Sequence, residues 1–124
     1  MIGRVNSWLE AVVPVQVGRA GGPAMTLACV LDTGFDGFVA LAPSQLAALG
    51  LRPAGTQRVT LGDGSEAHLP LYNVPVLWHG RRLAVPALAV EGAPLLGMAL
   101  LRGSDLSMQV VEGGLVRTEP IPES

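Results

Sequence analysis

Apolar positions along the chain come in short runs broken by Gly and Pro, and few of them last longer than a strand. The runs "WLEAVVPVQVGR" and "AMTLACVLD" are joined across "AGGP", which predicts a hairpin whose second strand ends at Asp32. A turn, Asp-Thr-Gly-Phe-Asp-Gly, follows, and "FVALA" resumes as a strand. "APSQLAALGL" breaks the pattern: Pro43 and Ser44 open a helix, Leu46 and Leu49 carry helical spacing, and Gly50 stops it after about two turns.

Downstream, "TQRVTLGDGSE" runs into Asp63-Gly64, a dipeptide suited to a tight turn with positive φ at both central positions, so a projecting hairpin is predicted. "LYNVPVLWHG" and "RRLAVPALAVE" form another strand pair turning at His79-Gly80, with Pro75 and Pro86 pushing them toward sheet edges or bulges. "APLLGMALLRG" ends a strand at Gly97 and begins a brief helix. The chain closes with "DLSMQVV", the turn "EGG" and "LVRTEPI". The order strand, strand, special turn, helix occurs around Asp32 and again around Gly97, a weak internal symmetry.

Composition supports an all-β reading. Hydrophobic residues make up 49% and charged residues 15% of the chain, with 16 Gly and 10 Pro, which favours turn-rich strands over a helical bundle or a disordered tail. With 124 residues the expectation is one domain, residues 1–124. A net charge of -2 with scattered basic residues gives no footprint for nucleic acid or an anionic membrane. No apolar run approaches the ~18 residues of a membrane span and no cleavable leader is evident, so a cytoplasmic protein is expected. The lone Cys29, inside "TLACVL", reads as a buried small hydrophobe.

Against that background the two aspartates of "VLDTGFDGFVAL" stand out, because a carboxylate at the end of a buried strand is costly unless hydrogen bonds compensate it. One explanation is turn chemistry, with the Asp32 carboxylate accepting nearby backbone N–H groups. A calcium loop is excluded, since Gly34 stands where an oxygen ligand is needed and Pro43 where a closing glutamate is needed. The third explanation is catalysis. His68 and His79 are isolated from Cys and carboxylates and read as solvated surface histidines; Ser44 and Ser65 read as a helix cap and a turn residue. No metal or cofactor site is expected.

The string "CVLDTGFDGFVAL" resembles the active-site segment of aspartic proteases, where an apolar strand delivers Asp-Thr/Ser-Gly into a loop and another leaves it. The resemblance continues through "VTLGDGSEAHLPLY", "VPVLWHGRRLAVPALAVE" and "PLLGMALL", in the order found in single-domain retropepsins, over about residues 8 to 112. "DTGF" with "LLGMALLRG" looks most like a prokaryotic retropepsin-like group. The resemblance implies a closed retropepsin-like β-barrel with one or two short helices, acting as an aspartic endopeptidase on peptide substrates. It implies Asp32, Thr33 and Gly34 as the catalytic triplet. Phe35 and Asp36 would belong with substrate binding, as would a flap at Gly62, Asp63 and Gly64, while Leu95, Leu96 and Gly97 would support the loop from beneath. Only one Asp-Thr-Gly is present, so the pair of carboxylates implies a homodimer. Met98 stands where viral relatives carry an arginine, which leaves Arg102 as a candidate partner for Asp36. A catalytically inactive peptide-binding or dimerisation module on the same scaffold, and an unrelated small barrel in which Asp-Thr-Gly is only a turn, are the alternatives.

Overall fold

The computed structural model describes residues 1–92 and 94–122. Ten strands alternate with two short helices: β1 (Ile2–Val5), β2 (Ala11–Val17), β3 (Met25–Leu31), β4 (Val39–Leu41), α1 (Pro43–Ala48), β5 (Gly55–Thr60), β6 (Glu66–Trp78), β7 (Arg81–Ala89), β8 (Leu95–Leu96), α2 (Met98–Leu101), β9 (Ser104–Met108) and β10 (Leu115–Pro120). The strands are hydrogen-bonded in the order β5-β6-β7-β4-β8-β3-β2-β1-β10-β9, and an added β6–β2 pairing at Val17 and Val76 closes six of them into a barrel. The expected all-β closed barrel with short helices is therefore present. None of the described helices is long and apolar enough to cross a membrane.

Alternation fills the barrel. In β2, Ala11, Val13, Val15 and Val17 are buried while Pro14 and Gln16 face out, the period-two signature of a strand with one face in a core. Val74, Val76 and Trp78 of β6 do the same beside it at the closure of the ring. β4 is buried at every residue, as its position between β7 and β8 requires. Aliphatic side chains dominate this core, and Cys29 is among them.

Several local expectations are corrected. β1 is not among the expected strands, and Trp8 and Leu9, which open the run "WLEAVVPVQVGR", instead form the turn between β1 and β2. Asn6 causes this: its side-chain oxygen accepts the amides of Trp8 (3.0 Å) and Glu10 (2.9 Å), which folds the chain back. The β6–β7 hairpin turns at His79-Gly80 as expected, with positive φ at both residues (50° and 75°), whereas the β5–β6 hairpin departs from the tight turn expected at Asp63-Gly64. At the latter, the strands close at Leu61 and Ser65, Gly64 donates to the Leu61 carbonyl, and only Gly64 has positive φ, the geometry of a three-residue loop ending in a glycine bulge.

β6 and β7 are ring members rather than edges. β6 tolerates Pro75 because the proline carbonyl, and hence its missing N–H, faces β2, where it accepts only the Gly18 amide (2.7 Å). Helix α1 forms as expected, but its cap is Ala42, with Gln45 Oε1 accepting the Ala42 amide at 2.9 Å; Ser44 lies inside the helix. Gly50, with φ of 71°, ends it.

Candidate active site

Asp32 is held where β3 leaves the barrel. Strands β3 and β8 run parallel with Leu31 opposite Leu96, so the register carries Asp32 and Gly97 out of the sheet side by side. The Asp32 amide donates to the Leu96 carbonyl (2.9 Å), its carbonyl accepts the Phe35 amide (3.1 Å), and Oδ1 accepts the Gly34 amide (2.9 Å). The turn chemistry anticipated for this aspartate is therefore real, and Asp63 uses the same device on the Ser65 amide (2.9 Å). What separates the two is location. Asp63 lies at an exposed hairpin tip, whereas half-buried Asp32 is anchored to a buried strand of the barrel.

The loop 32–38 is fixed from beneath by the start of α2. The amides of Gly97, Met98 and Ala99 donate to the carbonyls of Phe38 (2.9 Å), Phe35 (2.8 Å) and Gly37 (3.1 Å). Those are the amides a helix cannot satisfy internally at its first turn, and the loop carbonyls are otherwise without a sheet partner. So close an approach requires Gly97: a β-carbon there would meet the Gly37 carbonyl oxygen well inside contact distance and Phe35 Cδ2 at 2.6 Å. Leu96 is buried and Leu95 half-buried beside it. Thr33 and Gly34 at the loop's tip are exposed.

The Phe35 ring folds back onto Gly37, where an added β-carbon would meet it at 2.6 Å. It lines a groove of about 270 Å³ together with Asp36, Phe38, Gln57, Leu71 and Leu88, so the groove runs between the Asp32 loop and the base of the β5–β6 hairpin. The tip of that hairpin, Gly62, Asp63 and Gly64, is fully exposed and projects from the barrel. A larger cavity of about 400 Å³ lies at the opposite end of β2, beside Arg19 and Arg82. It holds no carboxylate, thiol or histidine, and the smaller groove is the one that adjoins candidate chemistry.

Two sequence expectations fail here. Arg102 does not pair with Asp36: the one ion pair among the described residues joins Arg58 and Glu66 across the hairpin at 3.4 Å, both side chains exposed. His79 is not simply solvated. It is half-buried, its Nε2 lies 2.9 Å from Ser104 Oγ, and burial, with the nearby amino terminus, lowers its pKa from the ordinary value. Its place in a tight turn gave no sign of the contact, since Ser104 is supplied by β9.

Over 98% of its length, the chain superposes on 91% of a retropepsin-like aspartic protease from Rickettsia conorii, with a TM-score of 0.59 and 16% sequence identity. The chain has the retropepsin-like fold. No protein-family model matches the sequence, and no curated protein does. At this identity the likeness is one of architecture, and the retropepsin-like frame is what puts Asp32 at a barrel mouth next to an apolar groove.

Proposed function

We propose that the protein is an aspartic endopeptidase that works as a twofold homodimer, each copy supplying one Asp32. The observation that carries this reading is the anchorage of Asp32 beside Gly97 at the mouth of a retropepsin-like barrel, with the loop tip exposed. A single Asp-Thr-Gly supplies one carboxylate, and the chemistry uses two.

With two carboxylates face to face, one proton is shared between them, because two like charges so close are not both ionised. The ionised Asp32 takes a proton from a water as its oxygen bonds to the peptide carbonyl carbon; the protonated Asp32 donates to the carbonyl oxygen. Collapse of the tetrahedral species breaks the C–N bond, and the amine leaves with a proton returned by a carboxyl group. Thr33 would hydrogen-bond across the twofold, and Gly34 would leave room for substrate backbone. The β5–β6 hairpin would close over an extended peptide as a flap with Gly62, Asp63 and Gly64 at its tip. Phe35, Phe38, Leu71 and Leu88 favour an apolar side chain in the adjoining groove, with Asp36 at its polar rim.

The test is a peptide-library digest at mildly acid and neutral pH, run beside Asp32→Asn. The asparagine keeps an oxygen for the Gly34 amide, so the fold and the dimer are expected to survive while cleavage falls by ~10³-fold or more. The parent's activity is expected to follow a bell-shaped pH profile and to fall on dilution as dimers separate. A dimeric parent that cleaves no peptide in the library would leave a binding or dimerisation module in place of the enzyme.

A further inference from the structure

The end of the barrel that carries Asp32 also carries a group of exposed apolar side chains with no role inside one chain. Successive strand pairings place them there. Leu31 lies opposite Leu96, Val30 opposite Val12, and Val5 opposite Ala11, while Val5 exchanges backbone hydrogen bonds with Gly113 and Gly114 (2.8 and 2.9 Å). The turn 6–10, the loop 32–38, the start of α2 and the turn 109–114 therefore all leave from the same end. At these segments Trp8 is 83% exposed, Leu9 58%, Met98 48%, Val110 60% and Val111 61%.

The β1–β2 turn is built to present its two apolar residues. Besides the amides of Trp8 and Glu10 held by its side-chain oxygen, Asn6 donates from Nδ2 to Glu10 Oε1 (3.0 Å) and accepts the Leu9 amide at its carbonyl (3.0 Å). Leu9 is driven to φ of 59°, an unfavourable conformation for a bulky L-residue, and gains no burial from it. Strain without packing inside the chain points to packing outside it.

We propose that Trp8 is the apolar anchor of a twofold contact between two copies of this chain, flanked by Leu9, Met98, Val110 and Val111. The inference rests on the endopeptidase reading above, which needs the Asp32 loops of two copies to meet at this end. The second copy is the occupant because the loop tip alone is too small to hold a dimer. Stable interfaces bury about 800 Å² per partner, and Thr33 and Gly34 are small residues, whereas a single tryptophan contributes about 150–250 Å². Including these neighbouring turns carries a contact continuous with the Asp32 loops toward the required area. A solvent-facing Trp that shares a barrel end with exposed Leu, Met and Val side chains also has the composition of an interface hot spot.

The experiment uses the full chain carrying Asp32→Asn, so that self-cleavage plays no part, with and without Trp8→Ala, in sedimentation equilibrium over a wide concentration range. Trp8→Ala is expected to weaken dimerisation by about tenfold or more while leaving the urea unfolding midpoint of the monomer unchanged. In parallel, acrylamide quenching of Trp8 fluorescence is expected to diminish as dimer accumulates; buried Trp78 provides the protected reference. A dimer whose affinity ignores Trp8→Ala and whose Trp8 stays open to quencher overturns the inference and leaves the endopeptidase reading standing. A dimer that shields Trp8 while the parent cleaves no peptide does the reverse. A strictly monomeric chain at the highest concentration overturns both.

Discussion

Gly97 and Gly37 approach so closely that the carbonyl oxygen of the second occupies the space a β-carbon on the first would need. The atoms in the way are backbone, along with the Phe35 ring at 2.6 Å and the Phe35 carbonyl oxygen at 2.8 Å, and the same segment is tied down by three amide–carbonyl bonds. Gly97→Ala is therefore expected to cost about 1–3 kcal/mol, the range for overpacking a site that cannot relax. Gly34→Ala is the contrast. Its β-carbon would meet only Asp32 Oδ1, at 3.2 Å, and the backbone there is not left-handed. Urea unfolding should show Gly97→Ala destabilised and Gly34→Ala close to the parent, with any loss of cleavage in Gly34→Ala arising at the substrate. Equal destabilisation of the two would mean that the loop is not held from beneath by Gly97.

How much of this was legible from sequence depends on how local the cause is. The strand ending at Asp32, the turn after it and the glycine starting α2 were legible, because strand period and turn residues act over a few positions. The register that sets Asp32 beside Gly97 joins segments 65 positions apart in sequence (97 − 32), and only the likeness of motif order gave a hint of it. Trp8 and Leu9 looked like strand because their apolar character was read without the Asn6 side chain that bends the chain beneath them. Dipeptide preference points to a two-residue turn at Asp63-Gly64 where a three-residue loop forms, whereas the turn expected at His79-Gly80 is present, with His79 left-handed because the β6–β7 pairing, from Leu71 opposite Leu88 to Trp78 opposite Arg81, leaves only two residues to reverse the chain. The missing Arg102–Asp36 pair has a similar origin, because the closeness of Arg102 to Met98 in sequence does not set where its side chain lies.

Thr118 offers a test of the packing at the edge of the core. Its side chain is fully buried on β10 and its Oγ1 has no hydrogen-bond partner, although its backbone is engaged with Met1 on both N–H and C=O. An unsatisfied buried hydroxyl costs about 1–3 kcal/mol, and valine has nearly the same shape and suits a strand. Thr118→Val is expected to raise stability by about 1 kcal/mol in denaturant unfolding. A destabilised variant would show that the hydroxyl is satisfied by a bound water that the valine displaces.

Cys29 is 1% exposed on β3, and burial pushes its thiol pKa up to about 12. The thiolate is the reactive form, so at pH 8 the folded protein holds almost none of it. Labelling by a thiol reagent is expected to proceed only through unfolding. Its rate should rise with urea in step with the global transition, and should be faster in Gly97→Ala than in the parent. Prompt labelling in native buffer would show that β3 opens locally without the rest of the barrel.

His79 gives the fold a pH dependence whose sign follows from its environment. Burial, and after it the positive amino terminus, lower its pKa below the ordinary 6.5, so folding favours the neutral ring. Below 6.5 the unfolded chain takes up the proton more readily than the folded one, and stability must fall as pH drops through that value, levelling once the folded ring is also protonated. Above 6.5 the contribution is fully present. His79→Asn isolates this effect, because asparagine accepts φ of 50° and Asn-Gly is a favoured pair for the turn that His79 and Gly80 make. Urea midpoints at pH 7.5 and pH 5 should fall further in the parent than in His79→Asn, by a small amount given the ring's partial exposure. The carboxylates are common to both proteins and cancel in the comparison. A gap between parent and variant that stays constant over this range would show that the fold does not hold His79 neutral, and that its contact with Ser104 survives protonation of the ring.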